Sequence, residues 1–590
     1  MTERVRQTIK NLTDLLSKEQ TEILKIASLL MIPSLLTKIT GQVYYVLTAT
    51  QLGTQQPLRD FQLANTLPEM LANILLTGAI STLVIPFLIE RKEKDGTEKF
   101  LRLYNSFMNL AFMMFIIMGI VLILFGDSIF PWVLQNVIRP AASEYPSPDS
   151  IANIVNMMKF LMLPELILGI SVFVSSGLNV YNRFFVPQLA PLFYNLGRIF
   201  GVFILLPLLD KSPWALVYGV LIGAVLHLVI QLPLVRMLGL HYEPIIDFHD
   251  RQVWVFIRTS APRVLAYAAD TISFALSQFI ASGLGQAAIS VFIYANAIAL
   301  VIPAIFGYPF SVASFPTLST MYTRKDFAGM NQIIVQTINQ IFFLSIPFVL
   351  GLIILRLPIV RLVYGLLPNT EFRRDDTAMV AWTMLFFAFG VIFTACQWYM
   401  YRIFYVAKNT FIPLLIAFMS LVVTYVLSLL FSNLFSHLDT LQFSSIDWFN
   451  LQSWLVRGDG AAAVGGVAFA ISVVSIYEFF LLLWLIHKFI VRIDFRHLLG
   501  ELGRKLIPTA AAGALMYFMF KTWDVLAFPI DAQPGFTGST TLNLFVLTTI
   551  TTFTSFMVYY LLCFLFQVED LRILRRFLNP IFRLGGFSIK

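Results

Sequence analysis

The chain has 590 residues, 58% hydrophobic and 13% charged, with a mean hydropathy of +0.78 and a formal net charge of +8. That leaves too little polar surface for a water-soluble protein of this length and points to a polytopic membrane protein. It excludes a nucleic-acid binder, whose basic residues would gather on a polar domain. The two cysteines, Cys396 and Cys563, lie in apolar runs and support neither a disulfide nor a metal framework.

Residues 1–23, polar and helical in pattern, read as a cytoplasmic amphipathic segment rather than a cleavable signal peptide. Stretches of about 20 mainly apolar residues then follow one another, the length a helix needs to cross a bilayer. Fourteen are expected, at roughly 24–50, 62–90, 100–125, 158–181, 187–209, 214–236, 258–283, 288–320, 332–356, 378–404, 411–432, 461–487, 504–522 and 541–566. The fold expected is an all-α polytopic membrane protein with 14 transmembrane helices. An N-lobe (24–236, spans 1–6) and a C-lobe (258–487, spans 7–12) precede an additional pair (504–566) and a basic tail (567–590). Lys and Arg alternate strongly between connections: 25 fall on the side of the N-terminus and 9 on the other. Both termini are therefore expected in the cytoplasm. The long loops 126–157 and 433–460 are expected outside, and Arg183 in "NRFFVP" marks a tight cytoplasmic connection with Pro187 starting the next helix.

The chain repeats itself. "NRFFVP" at 182–187 matches "KNTFIP" at 408–413, "FQLAN" at 61–65 matches "FIYAN" at 292–296, Pro86 matches Pro316, and "TATQLG" at 48–53 weakly matches "FIASGLG" at 279–285. The offsets of 226–232 residues hold six spans, an even number, so both copies keep one orientation.

Charges inside the spans tend to face a cavity or a partner. The candidates for a substrate cavity are Lys38, Glu69, Arg198, Arg263, Asp270 and Asn296. Each has an ordinary reading too. Glu69 follows Pro68 and serves helix geometry, and Arg263 and Asp270 share one helix face as structural partners. Lys159 snorkels from a span end, Glu165 is a further intramembrane acid, and His227 is a packed, hydrogen-bonded histidine. Lys38 and Arg198, near mid-span, are the hardest to dismiss. No phosphate-binding loop, nucleophile elbow, zinc spacing or aspartate-rich diphosphate motif is present. No enzyme activity, catalytic residue, metal or cofactor is expected.

"GLNVYNRFFVPQLAPLFYNLGRI" at 177–199 and "VIQLPLVRMLGLHYEPIIDFHD" at 229–250 resemble the MurJ (MviN) lipid II flippases of the multidrug/oligosaccharidyl-lipid/polysaccharide exporter superfamily. "SFPTLSTMYTRKDF" at 314–327 and "LPIVRLVYG" at 357–365 are similar to the same family. The resemblance implies translocation of an undecaprenyl-diphosphate-linked peptidoglycan precursor across the cytoplasmic (inner) membrane. The partners it implies are this lipid-linked anion, membrane lipids and cell-wall synthesis proteins. Lys38 falls where the family has a span 1 arginine, and the next family arginine falls at Tyr44. Asp60 lies one residue from the family's acid at the start of span 2. The family's basic pair in span 2 falls on Ala72 and Asn73, and its Asp-Arg pair in span 8 on Asn296 and Ala297. The chain thus reads as a divergent member. A flippase for another lipid-linked oligosaccharide, a cation-coupled small-molecule exporter, and a polyprenyl-sugar polymerase or ligase using His437 and Asp439 stand as alternatives.

Overall fold

The computed structural model describes residues 23–79, 84–139, 146–367, 370–437, 462–526 and 538–571. The expected amphipathic segment up to residue 22, the outer loop from 438 (with Asp439) to 460 and the tail from 572 lie outside the described residues. Among the described residues the elements are helical throughout, and the all-α expectation holds. Contacts divide the chain into two packing units, residues 1–290 and 291–590.

Unit 1 holds α1 (Ile23–Leu52), α2 (Gln56–Ala79), α3 (Ile85–Val133), α4 (Pro148–Val180), α5 (Phe185–Phe200), α6 (Trp214–Val229), α7 (Leu232–Met237) and α8 (Arg251–Ser282). Unit 2 begins within α9 (Ala288–Ala299) and holds α10 (Tyr308–Thr323), α11 (Phe327–Ile354), α12 (Arg356–Tyr364), α13 (Arg374–Val406) and α14 (Phe411–Ser436). It ends with α15 (Ala462–Phe489), α16 (Phe495–Leu526) and α17 (Gly538–Leu565). Eleven helices among the described residues are long and apolar enough to cross a membrane. The expected spans 1, 2 and 13 are present as α1, α2 and α16, which fall short of that test.

Two connections differ from the sequence expectation. The stretch 91–99 holds two helical segments that meet at Gly96, at φ 85°, with Glu90–Lys94 and Arg91–Asp95 placing opposite charges four residues apart before the break and Glu98–Arg102 after it. The outer loop expected over 126–157 shrinks to 139–147. There α3 runs on to Val133 and a π-turn to Ile138, while Ser147 caps α4 by accepting from the Ser150 amide, with Pro148 in the first turn.

The repeat reappears in backbone geometry. Asn182 and Lys408 both take left-handed backbone, at φ 55° and 56°. Asn182 and Arg183 donate their amides to the carbonyls of Asn179 and Leu178, and Lys408 and Asn409 donate to those of Tyr405 and Phe404. These are the same two bonds 226 residues apart, closing the helices before α5 and α14. Helix packing repeats as well. In unit 1, α4 packs on α2, α3 and α6, and α5 on α6. In unit 2, α13 packs on α10, α11 and α15, and α14 on α15.

The α5–α6 contact is backbone against backbone. A Cβ on Gly197 would lie 2.2 Å from the Gly223 amide nitrogen, and one on Gly201 would lie 2.7 Å from the Gly219 Cα. Two glycines four apart on each helix leave no side chain between the axes, the small-residue packing common within bilayers.

Between α7 and α8 the chain runs as an extended strap along polar side chains of α3. The Asn105 amide donates to the His241 carbonyl at 3.2 Å, and Asn105 Oδ1 accepts from the Glu243 amide at 3.2 Å. Asn109 donates to the carbonyls of Glu243 and Ile245 at 2.7 and 3.0 Å, and Ser106 Oγ accepts from the Asp247 amide. Asp250 then caps α8 by accepting from the Gln252 amide and pairs with Arg91 of α3 at 2.6 Å. At the other end of the chain, Lys505 of α16 pairs with Asp570 beyond α17 at 2.7 Å and donates to the Asn339 carbonyl of α11. Burial pushes the Asp570 carboxyl up, while Lys505 pulls it back. Such a pair fixes geometry more than it adds stability.

Gly197→Ala should destabilise the protein by about 1–3 kcal/mol, read as a lower melting temperature in detergent. Gly351→Ala, where an added methyl meets nothing within 4 Å, should leave that temperature unchanged or raised. The strap should loosen as pH rises. The Gly239 carbonyl and then the Glu243 side chain raise His241 above its usual 6.5. A raised value means that the pair's contribution is complete below 6.5 and is lost as pH climbs through the folded value. Amide exchange over 238–250, corrected for intrinsic rate, should quicken across that window, and His241→Ala should remove the dependence.

Candidate functional site

Unit 1 brings two intramembrane acids within reach of the Arg198 charge. The α1 and α5 helices are joined by polar ties one to two turns apart. Gln188 donates to Ser34 Oγ at 2.7 Å, and Asn195 donates to the Thr37 carbonyl at 3.0 Å and to Thr40 Oγ1 at 3.3 Å. Gly41 faces the Asn195 amide, where an added Cβ would sit 3.4 Å away.

One turn beyond Asn195, the Arg198 guanidinium lies over aromatic rings. Its Cζ is 3.6 Å from the ring centre of Tyr44, 5.5 Å from that of Tyr194 and 6.0 Å from that of Tyr45. Tyr44 and Tyr45 meet edge to face at 5.5 Å, so two walls of the cage brace each other. A guanidinium over an aromatic face away from water gains about 2 kcal/mol. The Arg198 Nε is buried and has no hydrogen-bond acceptor among the described residues.

Two acids complete the group. Glu69 on α2 is exposed, and Asn65 one turn earlier donates to its Oε2 at 2.7 Å. Glu165 on α4 is buried. Arg198 is near enough to act on the charge of both acids, and Glu69 acts on Glu165. Pro68 and Pro164 stand directly before these acids inside α2 and α4. Each lacks the N–H that the carbonyl four residues back would accept.

Of the residues expected from the sequence, Glu69 and Arg198 come together here. Lys38 is exposed on α1, seven residues before Tyr45, and so two turns down the same face. Half-buried Arg263 and exposed Asp270 lie seven apart on α8. That helix packs on α2, where Thr66 donates to Gln278 Oε1 at 3.0 Å. Asn296, half-buried on α9, belongs to unit 2. His227 is hydrogen-bonded, its Nδ1 2.6 Å from Ser171 Oγ, and Lys159 pairs with Asp127 at 2.7 Å. His227 therefore takes its ordinary reading, whereas Lys159, expected to snorkel from a span end, is held in an ion pair. Cys396 and Cys563 are buried free thiols. Sequence reasoning does not single out Tyr44, Tyr45 and Tyr194. The one signal for them was that Tyr44 occupies the place of a family arginine.

The family described as lipid II flippase MurJ matches residues 48–444. A probable lipid II flippase MurJ from Buchnera aphidicola subsp. Schizaphis graminum is 25% identical over 504 residues, 84% of this chain and 90% of that protein. Lipid II flippase MurJ from Burkholderia cenocepacia is 24% identical over 411 residues, 68% of this chain and 77% of the relative. Among solved structures, a lipid II flippase MurJ in an inward closed conformation aligns with a TM-score of 0.65 at 18% identity, covering 90% of this chain and 98% of its own. An inward-facing multidrug resistance transporter of the MATE family and MOP superfamily aligns with a TM-score of 0.54 at 14% identity, over 76% and 95%. At these identities the two structures speak for the fold alone. The family match spans more than half of the sequence, and the chain, a multi-pass membrane protein, belongs to the lipid II flippase MurJ family.

Proposed function

We propose that this protein moves an undecaprenyl-diphosphate-linked peptidoglycan precursor, lipid II, from the inner to the outer face of the cytoplasmic membrane by alternating access. Both termini lie in the cytoplasm, and the chain acts as a carrier without covalent chemistry. Cell-wall synthesis proteins supply and consume its cargo. One observation carries the reading to particular residues. The Arg198 guanidinium, rooted on α5, lies 3.6 Å over the ring of Tyr44, where the family has its second span 1 arginine. A positive charge lost from α1 is thereby restored at the same place from another helix. With Lys38 at the first family arginine, two cations lie along α1, about 9 Å apart on its axis and about 120° apart around it. These are a diphosphate's natural counter-charges. Glu69, Arg263 and Asp270 complete the proposed polar lining within unit 1.

Arg198→Gln and Lys38→Ala should each lower flipping of labelled lipid II in vesicles by about tenfold or more. Lys38→Arg should keep most activity, and Arg198→Lys part of it, since the charge survives but the planar stack does not. Wild-type rates in both neutralised variants at normal expression would remove these residues from the site.

Transport should also respond to membrane potential. Outward movement of a diphosphate dianion is favoured by about 4.6 kcal/mol per 100 mV, inside negative, and return of the empty carrier's cations is favoured too. Flipping in vesicles should accelerate when an inside-negative potential is imposed. Equal rates with and without it would reject the electrogenic cycle.

A further inference from the structure

Steps of three and four residues keep Arg59, Gln62, Thr66, Glu69 and Asn73 on one face of α2. Glu69 is exposed and Asn73 half-buried, whereas Arg59, Gln62 and Thr66 are buried. Two of the buried three are satisfied across a packing contact. Ser290, the last residue of unit 1, donates to Gln62 Oε1 at 2.7 Å, and Thr66 donates to Gln278 Oε1 of α8 at 3.0 Å. Arg59, in the first turn of α2, ends the row. It is 6% exposed, yet its Nε and Nη2 are buried and meet no hydrogen-bond acceptor among the described residues. Asp60, about 100° further round the helix, accepts from Ser150 Oγ of α4 at 3.3 Å and reaches Arg59 by charge alone. Nε and Nη2 lie along one edge of the guanidinium. Their N–H groups point the same way, at the spacing of two oxygens of a phosphate or carboxylate. Burying a cation with that edge vacant is costly, and the N-terminal dipole of α2 adds to the cost. An anion on the edge relieves both.

We propose that the vacant edge of Arg59 is a second anion-binding station, about 15 Å along the α2 axis from Glu69, which takes the diphosphate of the cargo on its way out. In the orientation proposed above, this end of α2 is the outer one. The cargo reaches the station when the Gln62–Ser290 and Thr66–Gln278 bonds part, and the face then opened is polar from Glu69 to Arg59. The station stands on its own geometry, whereas its place in the transport path rests on the proposed function.

Stability without ligand separates an arginine that awaits an anion from one that holds the fold. In lipid nanodiscs, Arg59→Met should melt at the wild-type temperature or above it, because a buried cation without hydrogen-bond acceptors on one edge is removed. A clear fall in that temperature, or failure to fold, would show that the guanidinium is bonded in the native protein and would overturn the station.

The second arm measures binding of inorganic pyrophosphate and of farnesyl diphosphate, in wild type and in Arg198→Gln, where the first site is silenced. Binding should persist in Arg198→Gln. Adding Arg59→Gln to that background should weaken it by about tenfold or more, the loss expected for two charge-assisted hydrogen bonds. Adding Arg59→Lys instead, which keeps the charge but not the paired edge, should weaken it less. Binding of both probes assigns the diphosphate itself as the ligand, and binding of farnesyl diphosphate alone assigns the lipid-linked form. Absence of binding in Arg198→Gln, or binding there that Arg59→Gln leaves unchanged, would overturn the station. Wild-type affinity in Arg198→Gln, lost on adding Arg59→Gln, would leave the station standing and sink the anion-binding role of Arg198.

Discussion

Everything around Arg198 depends on how closely α5 and α6 approach. With Gly197 and Gly201 against Gly219 and Gly223, the two backbones touch, and α5 has no freedom to rotate about its axis or slide. Arg198 follows Gly197, about 100° further around the helix. A backbone contact on one side of α5 therefore aims a guanidinium from the other. Gln188 and Asn195 lie on that second face and tie it to α1, so the cation reaches Tyr44 and Tyr45 by construction of the helix pair. A long flexible side chain is held by rings and by the charge of two acids, without a direct ion pair among the described residues.

The class of the fold was legible in the chain because apolar length is a coarse and robust signal. The repeat was legible too, and more sharply than four short matches suggest, since Asn182 and Lys408 share a left-handed turn and its two amide bonds. Loop boundaries were less legible. Short-range rules govern 91–102, where ion pairs at helical spacing flank the break at Gly96, and 147–157, where a Ser-Pro-Asp start begins α4 inside a stretch that hydropathy marks as a connection.

The site was half legible. An arginine or a glutamate inside a span announces itself by its cost, and Glu69 and Arg198 lie within reach of each other's charge. Tyrosine does not announce itself, because a phenol ring costs little to bury and reads as one more apolar residue. Tyr44, Tyr45 and Tyr194 become visible only once α1 and α5 are side by side. Charge substitution across helices is invisible to a position-by-position comparison for the same reason.

The strap between α7 and α8 is held largely through its main chain. Asn105, Ser106 and Asn109 grip carbonyls and amides of His241, Glu243, Ile245 and Asp247, whatever side chains those residues carry. Such a grip is indifferent to spelling and intolerant of counting. Substituting a strap residue leaves the bonds in place. Adding or deleting one would put the wrong peptide groups opposite the α3 asparagines and would draw Asp250 away from Arg91. Here the chain is specified as a measured tether, by its length rather than by its letters.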